Sequence, residues 1–233
     1  MMRILLRQST KLTNPMALAI FDLDNTLLGG DSDHSWGEFL VAQGVVDSAT
    51  FSAANDRFLD DYNAGSLDIH AYQRFALAPL VDKTPEELIR LHNRFMQEVI
   101  EPLKLTKADE LLNSHRRRGD RLLVITATNR FVVEPIIRSL GIDEFLATEP
   151  EQINGRITGN IVGTPTFQQG KVTALYHWLE NQQQTMNGSY FYSDSINDLP
   201  LLLMVDNPVA VDPDPSLRAE AEQRNWEIIS LRN

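Results

Sequence analysis

The fold is decided by residues 17–28, ALAIFDLDNTLL. Five apolar residues, 17–21, lead into Asp22, and Asp24 follows after one intervening residue. A short apolar run that ends in polar residues is typical of a strand buried on both faces of a parallel sheet. Two carboxylates at its end repel each other unless a cation or a proton is shared between them. Because ligands bind at the carboxyl ends of strands in α/β sheets, we expect Asp22 and Asp24 to lie in a binding site.

The alternative interpretation of this stretch is an acidic turn after a strand, with Asn25 and Thr26 as the turn-forming residues. The stretch alone does not exclude it. The decision depends on whether other strand or helix ends carry polar residues that a packed core does not need, and three further segments do.

The composition limits the classes of function. A chain of 233 residues can bury one good core and carry a modest second domain. The absence of cysteine excludes disulfides, thiolate metal sites and cysteine nucleophiles. The formal net charge of −11 argues against a nucleic acid or an anionic membrane surface as the partner.

The chain contains no run of the roughly 18 apolar residues that a membrane span requires. Residues 1–15 include three basic residues, but their apolar run, 4–6, is too short for the core of a signal peptide. We therefore expect a cytoplasmic protein in which residues 1–15 form a dispensable N-terminal extension. The oligomeric state stays open.

Residues 33–101 show helical apolar spacing with no strand pattern. One helix start is clear, because Thr84 can cap a helix that continues with Pro85 and two acids. The sequence therefore predicts a helical subdomain at residues 31–101, inserted into a core formed by residues 16–30 and 102–233.

Strand and helix patterns alternate after the helical block. We predict strands at 121–125, 145–148, 190–193, 209–211 and 228–231, helices at 105–118, 130–140, 168–183, 199–204 and 216–223, and a hairpin at 153–162. Alternation of this kind predicts an α/β fold, a doubly wound parallel sheet covered by helices on both faces.

Polar residues follow two more of these strands. The strand at 121–125 runs into Thr126, Ala127 and Thr128, where a hydroxyl and backbone N–H groups can hold a phosphate oxygen. The alternative role for a threonine here is that of a helix cap. The strand at 190–193 ends at Asp194, with Asp198 close behind. An acidic helix start explains Asp198 but leaves Asp194 unexplained.

Lys171 lies at the start of a predicted helix, the end that the helix dipole makes unfavourable for a cation. Taken alone, Lys171 is more simply interpreted as a solvated surface residue. Its place in the order of the other polar segments is what favours a functional role.

These segments together, FDLDNT, VITAT, a lysine before a helix and YSDSINDLPLL, resemble the four motifs of the haloacid dehalogenase superfamily of phosphohydrolases. The closest resemblance is to the branch that contains the phosphoserine phosphatases. It covers nearly the whole chain and implies a Rossmann-like core with an inserted all-helical cap. It also implies a phosphatase that acts on a small phosphorylated metabolite.

The resemblance implies roles for the acidic residues. Asp22 is expected to be the nucleophile that forms an aspartyl-phosphate, and Asp24 the general acid and base. Asp22, Asp194 and the main-chain carbonyl of Asp24 are expected to bind Mg²⁺, which prefers oxygen ligands. Asp198 and Asn197 are expected to orient the metal's waters and Lys171.

The remaining roles concern the substrate. Thr126 is expected to hold the phosphoryl group together with Ala127 and Thr128, and Lys171 to neutralise charge that builds up on phosphorus. Asn197 is also expected to contribute to substrate binding.

Asp31 suggests a substrate class. It stands nine residues after Asp22, where the phosphoserine phosphatases that this chain resembles carry an acid that faces the substrate's amino group. Residues 31–101 hold thirteen acids against five Lys or Arg, although a solvated helical surface also explains most of these. We expect a substrate with an amino group, such as phosphoserine or histidinol phosphate. Arg57 and Arg74 are candidates for binding a substrate carboxylate.

Three alternatives remain. A receiver domain, which is a signalling and binding module, also combines acids, a phosphorylated aspartate, a hydroxyl and a lysine, but it is about half this length and has no helical insertion. A phosphatase of the same superfamily could act on a lipid or sugar phosphate without an amino group. A decayed phosphatase scaffold could serve a structural role, but no motif position is visibly lost.

Overall fold

The computed structural model of the protein describes residues 16–232. The predicted extension, residues 1–15, lies outside the described residues. The part of the chain that is described contains no helix that is both long and apolar enough to cross a membrane.

The described chain forms a seven-stranded sheet with the strand order β4-β3-β2-β1-β5-β6-β7. All neighbouring strands are parallel except β3 and β4, which form an antiparallel hairpin at one edge. The strands are β1 Leu18–Phe21, β2 Arg121–Asn129, β3 Phe145–Ile153, β4 Arg156–Val162, β5 Tyr190–Ser193, β6 Asn207–Val211 and β7 Glu227–Ile229.

The central strand β1 is buried along its whole length. Ala19 and Phe21 belong to one apolar core, and Leu18 and Ile20 belong to the other, as the alternation of side chains along a strand requires. Helices therefore cover both faces of the sheet, and the prediction of a doubly wound sheet is confirmed. These helices are α6 Thr106–Arg118, α7 Arg130–Ser139, α8 Gln169–Gln182, α9 Leu199–Leu202 and α10 Pro215–Arg224.

Five helices lie between β1 and α6 and form the helical block: α1 Ser32–Ala42, α2 Ser48–Asn63, α3 Ile69–Leu77, α4 Pro85–Phe95 and α5 Glu101–Leu103. Between them are a short 3₁₀ turn, Ala78–Leu80, and a π-helical turn, Met96–Ile100. Thr84 caps α4 as predicted, with Glu87 returning the hydrogen bond. The helical character of this block matches the prediction, whereas the division of the chain at residues 31 and 101 stays a prediction.

The helical block packs on the core through aromatic side chains. The Trp36 ring of α1 lies 5.0 Å from Phe95 and 5.6 Å from Phe131 of α7, measured between ring centroids. At its other end, α3 packs against β4 of the edge hairpin. The block is thus held against the sheet from two sides.

Several element bounds differ from the prediction, and the differences in β2, β3 and α9 have a clear physical cause or follow a change of helix type. β2 continues to Asn129, and β3 continues to Ile153, because the second half of β3 pairs with β4 after its first half has paired with β2. A strand that changes partners halfway has no single apolar pattern, so the sequence showed only its first half. The helix predicted at 199–204 is shorter, Leu199–Leu202, and follows a 3₁₀ turn.

Candidate active site

The polar residues at the strand ends line one cavity. Asp22 and Asp24 follow β1, Thr126 lies in β2, and Asp194 follows β5. Because β2, β1 and β5 are neighbours in the sheet, their carboxyl ends meet at a single place. The site predicted from four separate motifs is therefore one site in the folded protein.

Asp22, Lys171 and Asp198 form a buried ion-pair group beside this cavity. The Lys171 Nζ lies 2.7 Å from Asp22 Oδ1 and 2.8 Å from both carboxylate oxygens of Asp198. Ser193 also donates to Asp198, at 2.7 Å. Lys171 is 1 % exposed, so the interpretation as a solvated surface lysine is wrong.

The charges in this group control one another's protonation. Burial raises the pKa of Asp22 to about 7, although Lys171 opposes the shift. Burial alone would lower the pKa of Lys171, but the charges of Asp198 and Asp22 outweigh it and raise that pKa above its ordinary value. Lys171 therefore stays charged and holds Asp22 Oδ1 in a fixed position.

A tight turn brings Lys171 to this position. Gln168, directly before α8, has a φ of 48°, and α8 begins at Gln169. A Cβ on Gly170 would lie 1.9 Å from the Pro165 carbonyl oxygen, so only glycine allows the loop to pass so close to the helix start. The first turn of α8 can then insert Lys171 into the site, against the preference of the helix dipole.

Asp24 is oriented by two donors. The Ser32 backbone N–H donates to its Oδ1 at 2.7 Å, and the Thr128 hydroxyl donates to its Oδ2 at 2.9 Å. Burial raises the pKa of Asp24 to about 6, the charge of Asp31 adds to the shift, and the two hydrogen bonds oppose it. A carboxyl group with a pKa near neutrality can both deliver and accept a proton. The Thr128 side chain thus orients Asp24. That Thr128 also binds the substrate stays a prediction.

The backbone beside Thr126 is held from neighbouring segments. Thr166 donates to the Thr126 carbonyl at 2.5 Å, and Thr148 donates to the Ala127 carbonyl at 2.9 Å. The Thr128 N–H donates to the Thr126 hydroxyl oxygen at 3.2 Å. Thr126 and Ala127 line the cavity in this rigid setting, where a phosphoryl group can be bound without reorganising the backbone.

The donor chemistry of the cavity fits Mg²⁺. Burial raises the pKa of Asp194, and the charges of Asp22 and Asp198 raise it further, so a cation here relieves repulsion. Within residues 16–232, no three or more carboxylate or imidazole side chains are grouped closely enough to enclose a metal ion. Asp22 and Asp194 with the Asp24 carbonyl stay the predicted ligands, and a set of three oxygens would leave coordination positions for the waters that Mg²⁺ keeps.

Asp31 and Asn197 have structural contacts. Asp31 Oδ1 caps α1 by accepting from the N–H groups of Asp33 and His34, each at 2.9 Å, and Asp31 also lines the cavity. Asn197 is not among the cavity-lining residues described. Its amide donates to the Tyr62 carbonyl at 3.0 Å and accepts from Gln168 at 3.0 Å, so it joins the helical block to the core.

The sequence analysis missed the wall that the helical block contributes. The residues of this cap wall are Asp31, Asp33, His34, Asn55, Phe58, Leu59, Tyr62, Leu67, Ile69 and Tyr72. Of these, only Asp31 was predicted. The helical apolar spacing of residues 33–101 was a visible signal, but such spacing does not tell which neighbour a helix face contacts. Among the described residues, no lysine or arginine lines this cavity.

Residues 19–203 match the family model of the haloacid dehalogenase-like hydrolases. The chain belongs to this family. It is 45% identical over 219 residues to a histidinol-phosphatase of Neisseria meningitidis serogroup C (strain 8013), a match that covers 92% of this chain and 99% of the relative. It is a phosphatase, as predicted, and the receiver-domain alternative is wrong.

Two solved structures share the fold. A protein of unknown function from Bordetella pertussis Tohama I is 42% identical with a TM-score of 0.88, over 93% of this chain and 99% of that one. A substrate-bound phosphoserine phosphatase is 18% identical with a TM-score of 0.68, over 93% of each chain. The second likeness concerns the fold alone and confirms the predicted fold class. Phosphatases of this family in general use Mg²⁺.

Proposed function

We propose that this enzyme hydrolyses histidinol phosphate to histidinol and phosphate, using Mg²⁺ and an aspartyl-phosphate on Asp22. The observation that carries the proposal is the chemistry of the cap wall, which combines carboxylates with aromatic rings and contributes no lysine or arginine from the described residues. The Neisseria meningitidis relative, named a histidinol-phosphatase, supports the same substrate.

The cap wall favours histidinol phosphate over phosphoserine. Both molecules are phosphate esters of an amino alcohol, but phosphoserine also carries a carboxylate where histidinol phosphate carries an imidazole ring. A buried carboxylate needs a cationic partner. The two arginines considered from the sequence do not supply one: Arg57 is exposed beside Phe58, and Arg74 lines a separate cleft next to β4.

A substrate without an amino group fits this wall poorly. A sugar or lipid phosphate places neutral hydroxyl or alkyl groups beside Asp31 and Asp33, and neither group balances their charges. The ammonium of histidinol phosphate does balance charge, and its flat ring matches the aromatic side chains of Phe58 and Tyr72.

The residues of the core carry out the chemistry. Asp22 attacks phosphorus, a bond forms between its carboxylate oxygen and phosphorus, and the bond from phosphorus to the alcohol oxygen breaks. Asp24 gives its proton to the departing alcohol. Asp24 then takes a proton from a water molecule that attacks the aspartyl-phosphate, which releases phosphate and restores Asp22. Lys171 orients Asp22 throughout and offsets negative charge.

Asp22, Asp194 and the Asp24 carbonyl are the residues that hold Mg²⁺. The bound ion supplies charge neutralisation for the attack of one anion on another. Thr126 and the N–H groups beside it bind phosphoryl oxygens.

The test measures kcat/KM for histidinol phosphate, phosphoserine, 2-aminoethyl phosphate and a sugar phosphate, with Mg²⁺ and with a chelator. We expect a preference of about 100-fold or more for histidinol phosphate over phosphoserine, since an unpaired carboxylate against acidic residues is costly. We also expect loss of activity in the chelator. Equal or faster hydrolysis of phosphoserine contradicts the proposed substrate, and full activity in the chelator contradicts the metal.

A further inference from the structure

The cap wall contains two buried acceptor atoms without a hydrogen-bond partner in the described structure. They are Oδ1 of Asp33 and Nδ1 of His34, in the first turn of α1. Both residues line the catalytic cavity, and Asp33 is only 8 % exposed. Most buried polar groups in proteins have a partner, so two unpartnered acceptors next to each other need an explanation.

Helix capping does not explain Asp33. Asp31 already caps α1 and accepts from two backbone N–H groups. An acid in the first turn also interacts favourably with the helix dipole, but a solvated side chain provides that benefit equally well. Burying a carboxylate oxygen without a donor costs free energy, and the fold gains nothing visible in return.

The surroundings of His34 make its Nδ1 an acceptor. Its other ring nitrogen, Nε2, lies 3.6 Å from Asp56 Oδ1 and 3.8 Å from Glu38 Oε1. In the neutral imidazole, two carboxylates near Nε2 favour a proton on that nitrogen, which leaves a lone pair on Nδ1. Asp33 Oδ1 and His34 Nδ1, here called the acceptor pair, thus offer two acceptor atoms to an N–H donor bound in the cavity that both residues line.

Aromatic rings stand beside this acceptor pair. Tyr72 and Phe58 line the same cavity, and their ring centroids are 5.3 Å apart. The hydroxyl of Tyr72 and that of Thr128 are near enough to Asp33 to oppose the rise in its pKa. The pocket thus offers flat apolar surfaces together with acceptors, the combination that suits a planar ring bearing N–H groups.

We propose that Asp33, assisted by His34, binds the imidazole N–H of the substrate and determines specificity for it. This inference rests on the proposed function and deepens it. Asp31 keeps the role expected from the sequence, in which its carboxylate binds the ammonium group. Asp33 binds the imidazole ring, which is the end of the substrate farthest from the phosphate. It therefore determines specificity for the alcohol portion, and the core residues carry out the phosphate chemistry.

The electrostatics of Asp33 support this assignment. Burial raises its pKa well above the ordinary value, and the charges of Asp31 and Asp24 raise it further. A donor that arrives with the substrate relieves this unfavourable state. The N–H of an imidazole, which becomes a cation on protonation near pH 6.5, is a donor suited to an acidic pocket.

The experiment compares histidinol phosphate with 2-aminoethyl phosphate, which keeps the ammonium group and lacks the ring. The variants are Asp33→Asn, Asp33→Leu and the control Asp60→Asn, which removes an exposed acid of α2 that does not line the cavity. We expect Asp33→Leu to reduce the preference for histidinol phosphate about 10- to 100-fold, mainly through KM. Asp33→Asn, which retains an acceptor oxygen, should lose less, and Asp60→Asn should keep the preference of the wild type.

The outcomes separate the two proposals. A wild type that does not prefer histidinol phosphate over 2-aminoethyl phosphate contradicts the proposed function. A wild type that prefers it, with both Asp33 variants retaining that preference, overturns this inference and leaves the function standing. If the Asp33 variants do not fold, the same preference is measured with His34→Phe. Loss of the preference for histidinol phosphate supports the inference, and an unchanged preference overturns it.

Discussion

The two ends of the catalytic cavity are built differently. At the core end, Lys171 binds Asp22 and Asp198, and Ser193 donates to Asp198, so these charges are paired within the chain. At the cap end, Asp33 and His34 each present a buried acceptor without a donor. The comparison indicates that Asp22 and Asp198 at the core end are paired before the substrate arrives, whereas the acceptors at the cap end are paired only by the substrate.

This difference matches the separate tasks of the two ends, which are phosphoryl transfer at the core end and recognition of the alcohol portion at the cap end. Phosphoryl transfer makes the same demands for every phosphate ester, so a preorganised core end serves any substrate. Recognition of the alcohol portion has to discriminate between molecules, and a site that leaves acceptors unpaired rejects any molecule that lacks the matching donors.

The largest effect is expected from removing the nucleophile. Asp22→Asn deletes the oxygen that attacks phosphorus, and we expect activity on every phosphate ester to fall about 10⁴-fold or more, as for other covalent nucleophiles. Folding should be retained because the change keeps the shape of the side chain and reduces repulsion among the buried acids. Steady-state kinetics with p-nitrophenyl phosphate and a thermal unfolding curve provide the measurements.

Asp109→Asn is a matched control, because Asp109 is an exposed acid on α6. It should leave activity unchanged and reduce stability by no more than about 1 kcal/mol, the usual contribution of an acid in the first turn of a helix. Retention of more than a few per cent of activity by purified Asp22→Asn protein contradicts the role of Asp22 as nucleophile.

The second prediction tests whether the core end depends on internal pairing. Lys171→Met leaves Asp22 and Asp198 buried without their cation, and breaking such a pair typically costs about 3–5 kcal/mol in the free energy of unfolding. We expect a loss of this size in urea unfolding measured with a chelator present. Adding Asp198→Asn to Lys171→Met should recover part of the loss, because one uncompensated charge is removed.

Lys107→Met is the control for that experiment, since Lys107 is exposed and donates only to the Arg232 carbonyl in the described structure. Its effect should remain within about 0.5 kcal/mol. If Lys171→Met is as stable as the wild type, the three charges are not paired in solution, and the proposed difference between the two ends disappears.

The core end could be predicted from the sequence because its signals are local. Asp22 and Asp194 each follow a short apolar run of the kind that is typical of a buried strand, and β2, β1 and β5 are neighbours in the sheet. Asp22, Asp24 and Asp194 were therefore expected at one edge before any contact was known, and the structure brings them to one cavity.

The cap end could not be predicted because its signals depend on docking. Asp33 resembles an ordinary acid in the first turn of a helix, and only the packing of α1 against the core makes it buried and unpartnered. Asn197 was expected to serve the metal's waters and the substrate, but its amide donates to the backbone carbonyl of Tyr62, 135 residues earlier in the chain. The sequence does not indicate which backbone carbonyl a side chain will bind, because every residue carries one.

The smallest effect is expected at the cap end, and its sign is opposite to that at the core end. Asp33→Asn removes a buried carboxylate that has no cationic partner among the described residues and whose Oδ1 lacks a hydrogen bond, so in the absence of substrate the variant should be more stable than the wild type by about 1 kcal/mol at pH 7. Urea unfolding of both proteins at pH 7 measures the difference, with Asp60→Asn as the control for loss of an exposed acid.

The dependence on pH distinguishes an unpaired charge from a packing effect. The pKa of Asp33 is raised in the folded state, so folding favours its protonated form, and the cost of ionising it appears as the pH rises above the unfolded value of about 3.9. The advantage of Asp33→Asn should therefore shrink as the pH is lowered from 7 towards 4.5, whereas a packing effect does not change. A variant that is less stable than the wild type at pH 7 means that the chain itself satisfies Asp33. The cap end is then as complete as the core end, and specificity for the ring has to come from the aromatic side chains alone.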